Sequence, residues 1–264
     1  MRLIKNMITL DQILAAYPEN LRAFKESILK EYLQYKILNS IFNSEHANKL
    51  AFLGGTALRI VYGSTRFSED LDFDNFALTE TEFTDLSKVI QKDLRLEGLE
   101  VEVNTVTRNA YRIKIRIPKL LFDSGLSAMS EHKVLIQVDK VPQNFEYEPE
   151  KPLLNKLDVF TQINVVPKDL LLAQKIFASV NRKRIMGRDF FDIVFLHGLG
   201  ARPNFAYLKK NINIDNEKDL KNYLLEKTAS LNFDDLAKDV EPLLFDPRDK
   251  KKVLLFREFV EQSF

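Results

Sequence analysis

The chain has 264 residues, 45% hydrophobic and 29% charged, with a formal net charge of +1. This balance predicts a packed soluble core and leaves any nucleic-acid contact to local basic patches. The absence of cysteine excludes disulfides, Cys-based zinc sites and thiol catalysis.

The start "MRLIKNMITLDQ" is basic, but its apolar run is too short for a signal peptide. No stretch reaches the ~18 apolar residues of a membrane helix, so a cytoplasmic protein without a membrane partner is expected. Residues 20–43 follow a helical period, with Leu21, Phe24, Ile28, Tyr32, Tyr35 and Leu38 at spacings of three and four. Asn20 would cap that helix. "LAFL" (50–53) is a short apolar run ending at Gly54-Gly55 and reads as a buried strand. "TALRIVYG" reads as a short helix stopped by Gly63, and "DLDFD" (70–74) alternates as a strand. Residues 79–97 predict a helix, with Thr79 and Glu82 in capping-box spacing. Strands are expected at 100–106, 111–117 and 133–140, then a proline-bounded loop at 142–152 and a further strand near 157–165. Pro167 opens a run of helices, at about 168–181 and 188–198 and on to the C-terminus. The expectation is an α/β domain over 1–165 and an all-helical part over 166–264 that contributes Lys175 and Asp192 to the cleft.

A strand that ends in two glycines and enters a helix presents unpaired backbone N–H groups, and without a Cβ a phosphate can come close. The same pair is also that of a plain tight turn. On a strand, residues i and i+2 share a face, about 6.6 Å apart. Asp70 and Asp72 therefore stand together while Leu71 and Phe73 point to the core. Two such carboxylates suit Mg²⁺, although an exposed acidic strand face has the same pattern. Ser68 would join that face if the strand began early. Arg59 and Arg66 flank the site in sequence, although a surface ion pair with Glu69 explains Arg66 as simply. Asp139 is either a third carboxylate, for the metal or for the attacking hydroxyl, or a strand-end partner of Lys140.

In the helix "PKDLLLAQKIFASVNRKR", Lys168, Lys175 and Arg182 are spaced by seven. They form one basic stripe, able to hold triphosphate oxygens or simply solvated. Ala178 and Ser179 are small enough for a bulky group to approach. Asp189 and Asp192 share one face of the next helix. Arg188–Asp192 is an ordinary i,i+4 pair, or else an aspartate orients the lysine. Arg112, Lys114 and Arg116 line one strand face, and Arg182, Lys183, Arg184 and Arg188 form a second basic patch. Both suit phosphate backbones, as they suit water. The three histidines lack metal-ligand spacing, and there is neither a Ser-His-Asp constellation nor a P-loop.

Taken in order, "GGTALRIVYGSTRFSEDLDF", "VLIQVDK", "LLLAQKIFA" and "NRKRIMGRDFFDI" resemble the AbiEii family, nucleotidyltransferase-like toxins of type IV toxin–antitoxin systems within the DNA polymerase β-type superfamily. The likeness spans roughly residues 50–195. It implies a nucleotidyltransferase-like mixed β-sheet flanked by helices. It also implies transfer of a nucleoside monophosphate from a nucleoside triphosphate, in some members to the 3′ end of tRNA, and an antitoxin that need not touch the toxin. By position, Gly54, Gly55 and Thr56 would hold the triphosphate and Ser68 would lie beside the centre. Asp70 and Asp72, with Asp139, would bind Mg²⁺. Lys175 would contact phosphates, and Asp189 or Asp192 would complete the site. The superfamily often has Gly-Ser where this chain has Gly54-Gly55, and Thr56 would supply the missing hydroxyl. Two competing readings remain: a catalytically silent nucleotide- or RNA-binding module, and a nucleotidyltransferase acting on a small molecule.

Overall fold

The computed structural model describes residues 8–107, 111–142 and 145–264. The basic start up to Met7 and positions 143–144 of the proline-bounded loop lie outside them. The chain divides into two compact units. One holds the residues up to Tyr62 and Ser68–Val165, and the other holds Gly63–Phe67 and Val166–Phe264.

The first unit opens with helix α1 (Leu10–Ala15), capped by a reciprocal Thr9–Gln12 box. Helix α2 runs Lys25–Phe42, not from residue 20. Asn20 sits inside a separate 3₁₀ turn, Glu19–Leu21, which buries Leu21. Arg22 donates its Nε to the Tyr17 carbonyl at 3.0 Å. The chain is thus turned back once before the long helix starts. Strand β1 (Leu50–Leu53), helix α3 (Gly54–Ile60) and strand β2 (Leu71–Asn75) follow. Helix α4 (Glu80–Leu96) carries the expected Thr79–Glu82 capping box. Strands β3 (Glu102–Val106) and β4 (Tyr111–Ile117), the short helix α5 (Leu120–Asp123) and strand β5 (Val134–Pro142) complete the main sheet.

The sheet is mixed, in the order β1-β2-β5-β4-β3. Of its strand pairings, β2–β5 is parallel, and β1–β2, β3–β4 and β4–β5 are antiparallel. Alternation decides which face is buried. Ile113, Ile115 and Ile117 of β4 and Ile136 and Val138 of β5 are at most 1% exposed, and helices α2 and α4 pack on that face. Phe73 joins it, with ring centroids 6.1 Å from Phe42 and 5.4 Å from Phe52. The single strand expected near 157–165 is instead a hairpin, β6 (Leu153–Lys156) and β7 (Val159–Gln162). Its turn holds Leu157 at φ 57°. Leucine is not a residue that announces such a turn, so the sequence carried no Asn-Gly or Gly signal for it.

The second unit is helical, apart from one bridge: α6 (Lys168–Asn181), α7 (Gly187–Gly198), α8 (Phe205–Ile212), α9 (Glu217–Lys227), α10 (Phe233–Val240), α11 (Lys251–Leu254) and α12 (Phe256–Ser263). Pro167 sits at the N-cap of α6, and asparagines 204, 216 and 232 cap α8, α9 and α10 through their side chains. Phe190, Phe233 and Phe256 form the aromatic core, with centroids 4.7–6.0 Å apart. The segment Gly63–Phe67 is bonded into this unit by its backbone. Phe67 N–H donates to the Leu243 carbonyl (2.8 Å) and Phe245 N–H to the Thr65 carbonyl (3.0 Å), on either side of an antiparallel Arg66–Leu244 bridge.

Helix α7 begins on α10 with no room for a side chain. A Cβ at Gly187 would lie 1.8 Å from the Leu236 carbonyl oxygen, a backbone atom that cannot swing aside. Gly187→Ala is expected to lower stability by about 2 kcal/mol or more, read as a fall in the denaturant midpoint. An unchanged midpoint would refute this packing.

Candidate active site

Strand β2 brings its acids to the face away from α2 and α4. Asp72 and Asp74 lie within the strand, and Asp70 stands one residue before its start. Asp70 belongs to the same face all the same, since its Oδ1 accepts from Gln137 Nε2 at 3.2 Å, and Gln137 is two residues before Asp139 on β5. Ser68 does not extend the strand. It precedes it, and its carbonyl accepts from Gln34 at 3.0 Å.

Across the sheet, Leu53 pairs with Asp72, Asp72 with Asp139, and Asp139 with Arg112. Asp139 is inside β5, not at its end, because β5 continues to Pro142. Its partner is Arg112, in a two-pronged pair (Nε–Oδ1 2.6 Å, Nη2–Oδ2 2.7 Å). It is not Lys140, whose Nζ donates to the Leu78 carbonyl (2.6 Å) and lies 4.0 Å from the Tyr111 ring centroid. The guanidinium of Arg112 is pushed up, first by its bonds to Asp139. Partial desolvation opposes this, and the charges of Asp139, Asp70 and Asp72 add to the rise.

Gly54 has φ +80°, and a Cβ there would fall 2.5 Å from Asp72 Oδ2. The glycine therefore makes room for a carboxylate of its own chain. The following helix has no side-chain cap at its start. Thr56 is fully buried, and its hydroxyl donates to the Asp70 carbonyl. Its one proton is thereby used inside the protein, where it ties α3 to the base of β2.

In the helical unit, Lys175 is 7% exposed, and Asp189, Asp192 and Arg66 are 0% exposed. Lys175 is thus no part of a solvated stripe, and Ser179 is buried against the Ile176 carbonyl. Lys175 Nζ lies 2.9 Å from Asp189 Oδ1 and 2.7 Å from Asp192 Oδ2. Arg66 takes both oxygens of Asp192, through Nε and Nη2 at 2.7 Å each. Glu69, the partner expected for Arg66, pairs with Lys30. Arg188 is not the partner of Asp192, whose ion pairs are with Arg66 and Lys175. Burial alone would push the Asp192 carboxyl up, but the charges of Arg66 and then Lys175 outweigh it and hold the carboxyl below its ordinary range.

The expected cations divide by partner. Arg112 pairs with Asp139, Arg182 with Asp189 and Arg184 with Asp239. Lys114, Arg116, Lys183 and Arg188 make no ion pair with the described residues. Sequence reasoning placed Arg66 beside the site but missed its partner Asp192, and it missed the partner of Arg112. It also gave no role to Asp74, which is 6% exposed and accepts from the Tyr147 hydroxyl at 2.8 Å. For Asp74 the alternation of "DLDFD" was the available signal; for the partner of Arg66 there was none nearby.

The donor chemistry at Asp70 and Asp72 suits a hard divalent ion: two carboxylates on one face, with Gly54 leaving space beside the second. Among the described residues no group of three or more acidic, His or Cys side chains is placed to hold a metal. Mg²⁺ does not need one, since it is usually bound by one or two carboxylates together with substrate phosphates. Among the described residues, also, no helix is long and apolar enough to cross a membrane.

Among solved structures, MenT4, a nucleotidyltransferase toxin from Mycobacterium tuberculosis H37Rv, aligns over 97% of this chain and 90% of its own, at 14% identity and a TM-score of 0.58. JHP933 from Helicobacter pylori aligns over 90% of this chain and 92% of its own, at 17% identity and a TM-score of 0.51. At such identities the likeness establishes the fold, a mixed sheet flanked by helices as in nucleotidyltransferase toxins. No curated protein matches by sequence. The family model described as nucleotidyl transferase AbiEii toxin, type IV toxin–antitoxin system, matches residues 36–258. This span takes in the acid row of the sheet and the buried ion network of the helices: the chain is a nucleotidyltransferase of the AbiEii toxin family.

Proposed function

We propose that this toxin moves a nucleoside monophosphate from a nucleoside triphosphate to an RNA 3′ hydroxyl, tRNA being the acceptor, with Mg²⁺ as the metal. The observation that carries the reading is the Asp70–Asp72 pair on one sheet face, with Gly54 shaped around the second carboxylate. The acceptor hydroxyl attacks the α-phosphorus, the bond to the bridging oxygen breaks, and pyrophosphate leaves. Asp70 and Asp72 would hold the ion. When bound, it supplies positive charge at the reacting phosphate and eases deprotonation of the attacker. The backbone at Gly54, Gly55 and Thr56 and the ammonium of Lys175 bind the leaving phosphates. Asp189 and Asp192 hold Lys175 in place. Asp139, gripped by Arg112, borders the metal ligands as the third carboxylate of the row.

Lys114 and Arg116 on β4, together with Lys183 and Arg188, meet the RNA backbone, since among the described residues these cations are not paired with carboxylates. The family's toxin–antitoxin setting implies an antitoxin, and we place it as a partner acting without a stable contact. The cytoplasm is the site of action.

Incubation with each α-labelled nucleotide, Mg²⁺ and total tRNA is expected to move label onto tRNA. Asp70→Asn and Asp72→Asn are each expected to cut transfer by about a thousandfold or more, because charge stabilisation at the metal is worth several kcal/mol. Full transfer by both variants would overturn the reading. Label on a small hydroxyl compound instead of tRNA would move the acceptor to the small-molecule class. Nucleotide binding without any transfer would mark a silent module.

Gly54→Ala is expected to lower transfer by about a hundredfold, since misplacing a catalytic group by about 1 Å has that effect. Gly63→Ala is the control. Gly63 has a similar backbone angle (φ +74°), but a Cβ there meets nothing within 4 Å, so transfer should survive. Equal losses in the two variants would assign the effect to backbone strain rather than to Asp72.

A further inference from the structure

The ions of the helical unit form a chain of alternating charge: Arg66, Asp192, Lys175, Asp189, Arg182. Three cations meet two carboxylates. Arg66 closes the buried end and is 0% exposed. Its Nε and Nη2 hold Asp192, and its Nη1 donates to the Phe67 carbonyl at 3.0 Å. Arg182, at the other end, has a side chain 46% exposed. Lys175 in the middle touches both acids.

Without Arg66, Lys175 would share its single charge with two buried carboxylates, relieved only by the half-exposed Arg182. Its attraction for a phosphate would then be cancelled at close range, where charges are least screened. With Arg66 in place, both Asp192 oxygens are matched by a planar fork that lysine cannot reproduce. A buried ion pair is weak support for stability, since well-packed apolar residues often do as well. The backbone fastening of Gly63–Phe67 to Leu243–Phe245 already holds the segment without the guanidinium.

We infer that Arg66 is a positioning residue for the phosphate-binding lysine: it neutralises and orients Asp192 so that Lys175 keeps a net positive field toward the triphosphate. This rests on the proposed role of Lys175, and the test separates the two.

The probe is inorganic triphosphate with Mg²⁺, titrated calorimetrically into the full chain, with thermal melting as the check of folding. Arg66→Met is expected to bind the probe about tenfold or more weakly, as loss of a close buried counter-charge implies; Arg66→Lys keeps the charge but loses the two-pronged grip on Asp192 and is expected to bind more weakly than the parent. In turnover, the effect should fall on the KM for nucleotide more than on kcat. The double variant Arg66→Met/Asp192→Leu removes one charge of each sign and leaves Lys175 with Asp189 and Arg182. It is expected to bind the probe more tightly than Arg66→Met, whatever its turnover. If Arg66→Met does not melt cooperatively, Arg66→Lys carries the test by binding more weakly than the parent. A double variant that binds no better than a folded Arg66→Met would overturn the inference, as would folded single variants that bind like the parent. A parent chain that binds no triphosphate would overturn the role of Lys175 itself.

Discussion

The parallel pairing of β2 with β5 is the constraint on which the acid face depends. Parallel neighbours cannot be joined by a tight turn, so the chain between them travels through α4, the β3–β4 pair and α5. The register sets Asp72 beside Asp139, and Asp139 beside Arg112. A slip of one residue would present the opposite face and exchange the acid row for the apolar one. Leu71, Phe73 and Val138 must meet α2 and α4, so their burial holds the carboxylates on the other side. The core thus enforces a polar arrangement that would not hold itself together, because like charges repel.

Two kinds of charge management follow. In the sheet unit, Asp70, Asp72 and Asp139 share a face with the Arg112 guanidinium, which grips Asp139 and is raised by all three. In the helical unit, the acids are fully buried and each carboxylate meets two cations. Desolvation works against charge there, and Asp192 stays ionised because Arg66 and Lys175 together exceed that penalty. The first gathers acids on one face of the sheet; the second matches buried acids with cations of the same unit.

Much of the fold was legible because its causes are local. The Thr79–Glu82 capping box and the strict alternation of "YRIKIRI" depend on residues a few places apart. Where a boundary moved, the cause was tertiary. Asn20 went into a 3₁₀ turn that buries Leu21, and Leu157 took a left-handed turn without a turn residue. Partners were the least legible feature. Arg66 finds Asp192 across 126 positions, and Arg112 finds Asp139 across 27. A reading along the chain offers Arg66 and Asp139 the nearest opposite charge, Glu69 and Lys140. Long polar side chains reach whatever the packed backbone brings near, and sequence distance does not measure that.

By itself the sequence determined the main elements and their order, the shared face of Asp70 and Asp72 and the shared helical face of Asp189 and Asp192, because periodicity of two or of 3.6 is a property of the local backbone. It also set aside a glycine where no side chain could stand. Only the tertiary structure decided what that glycine makes room for, which is the Asp72 carboxylate, and which cation each acid receives. Those choices follow from strand register and helix contact, and both are settled by burying apolar surface far from the residues concerned.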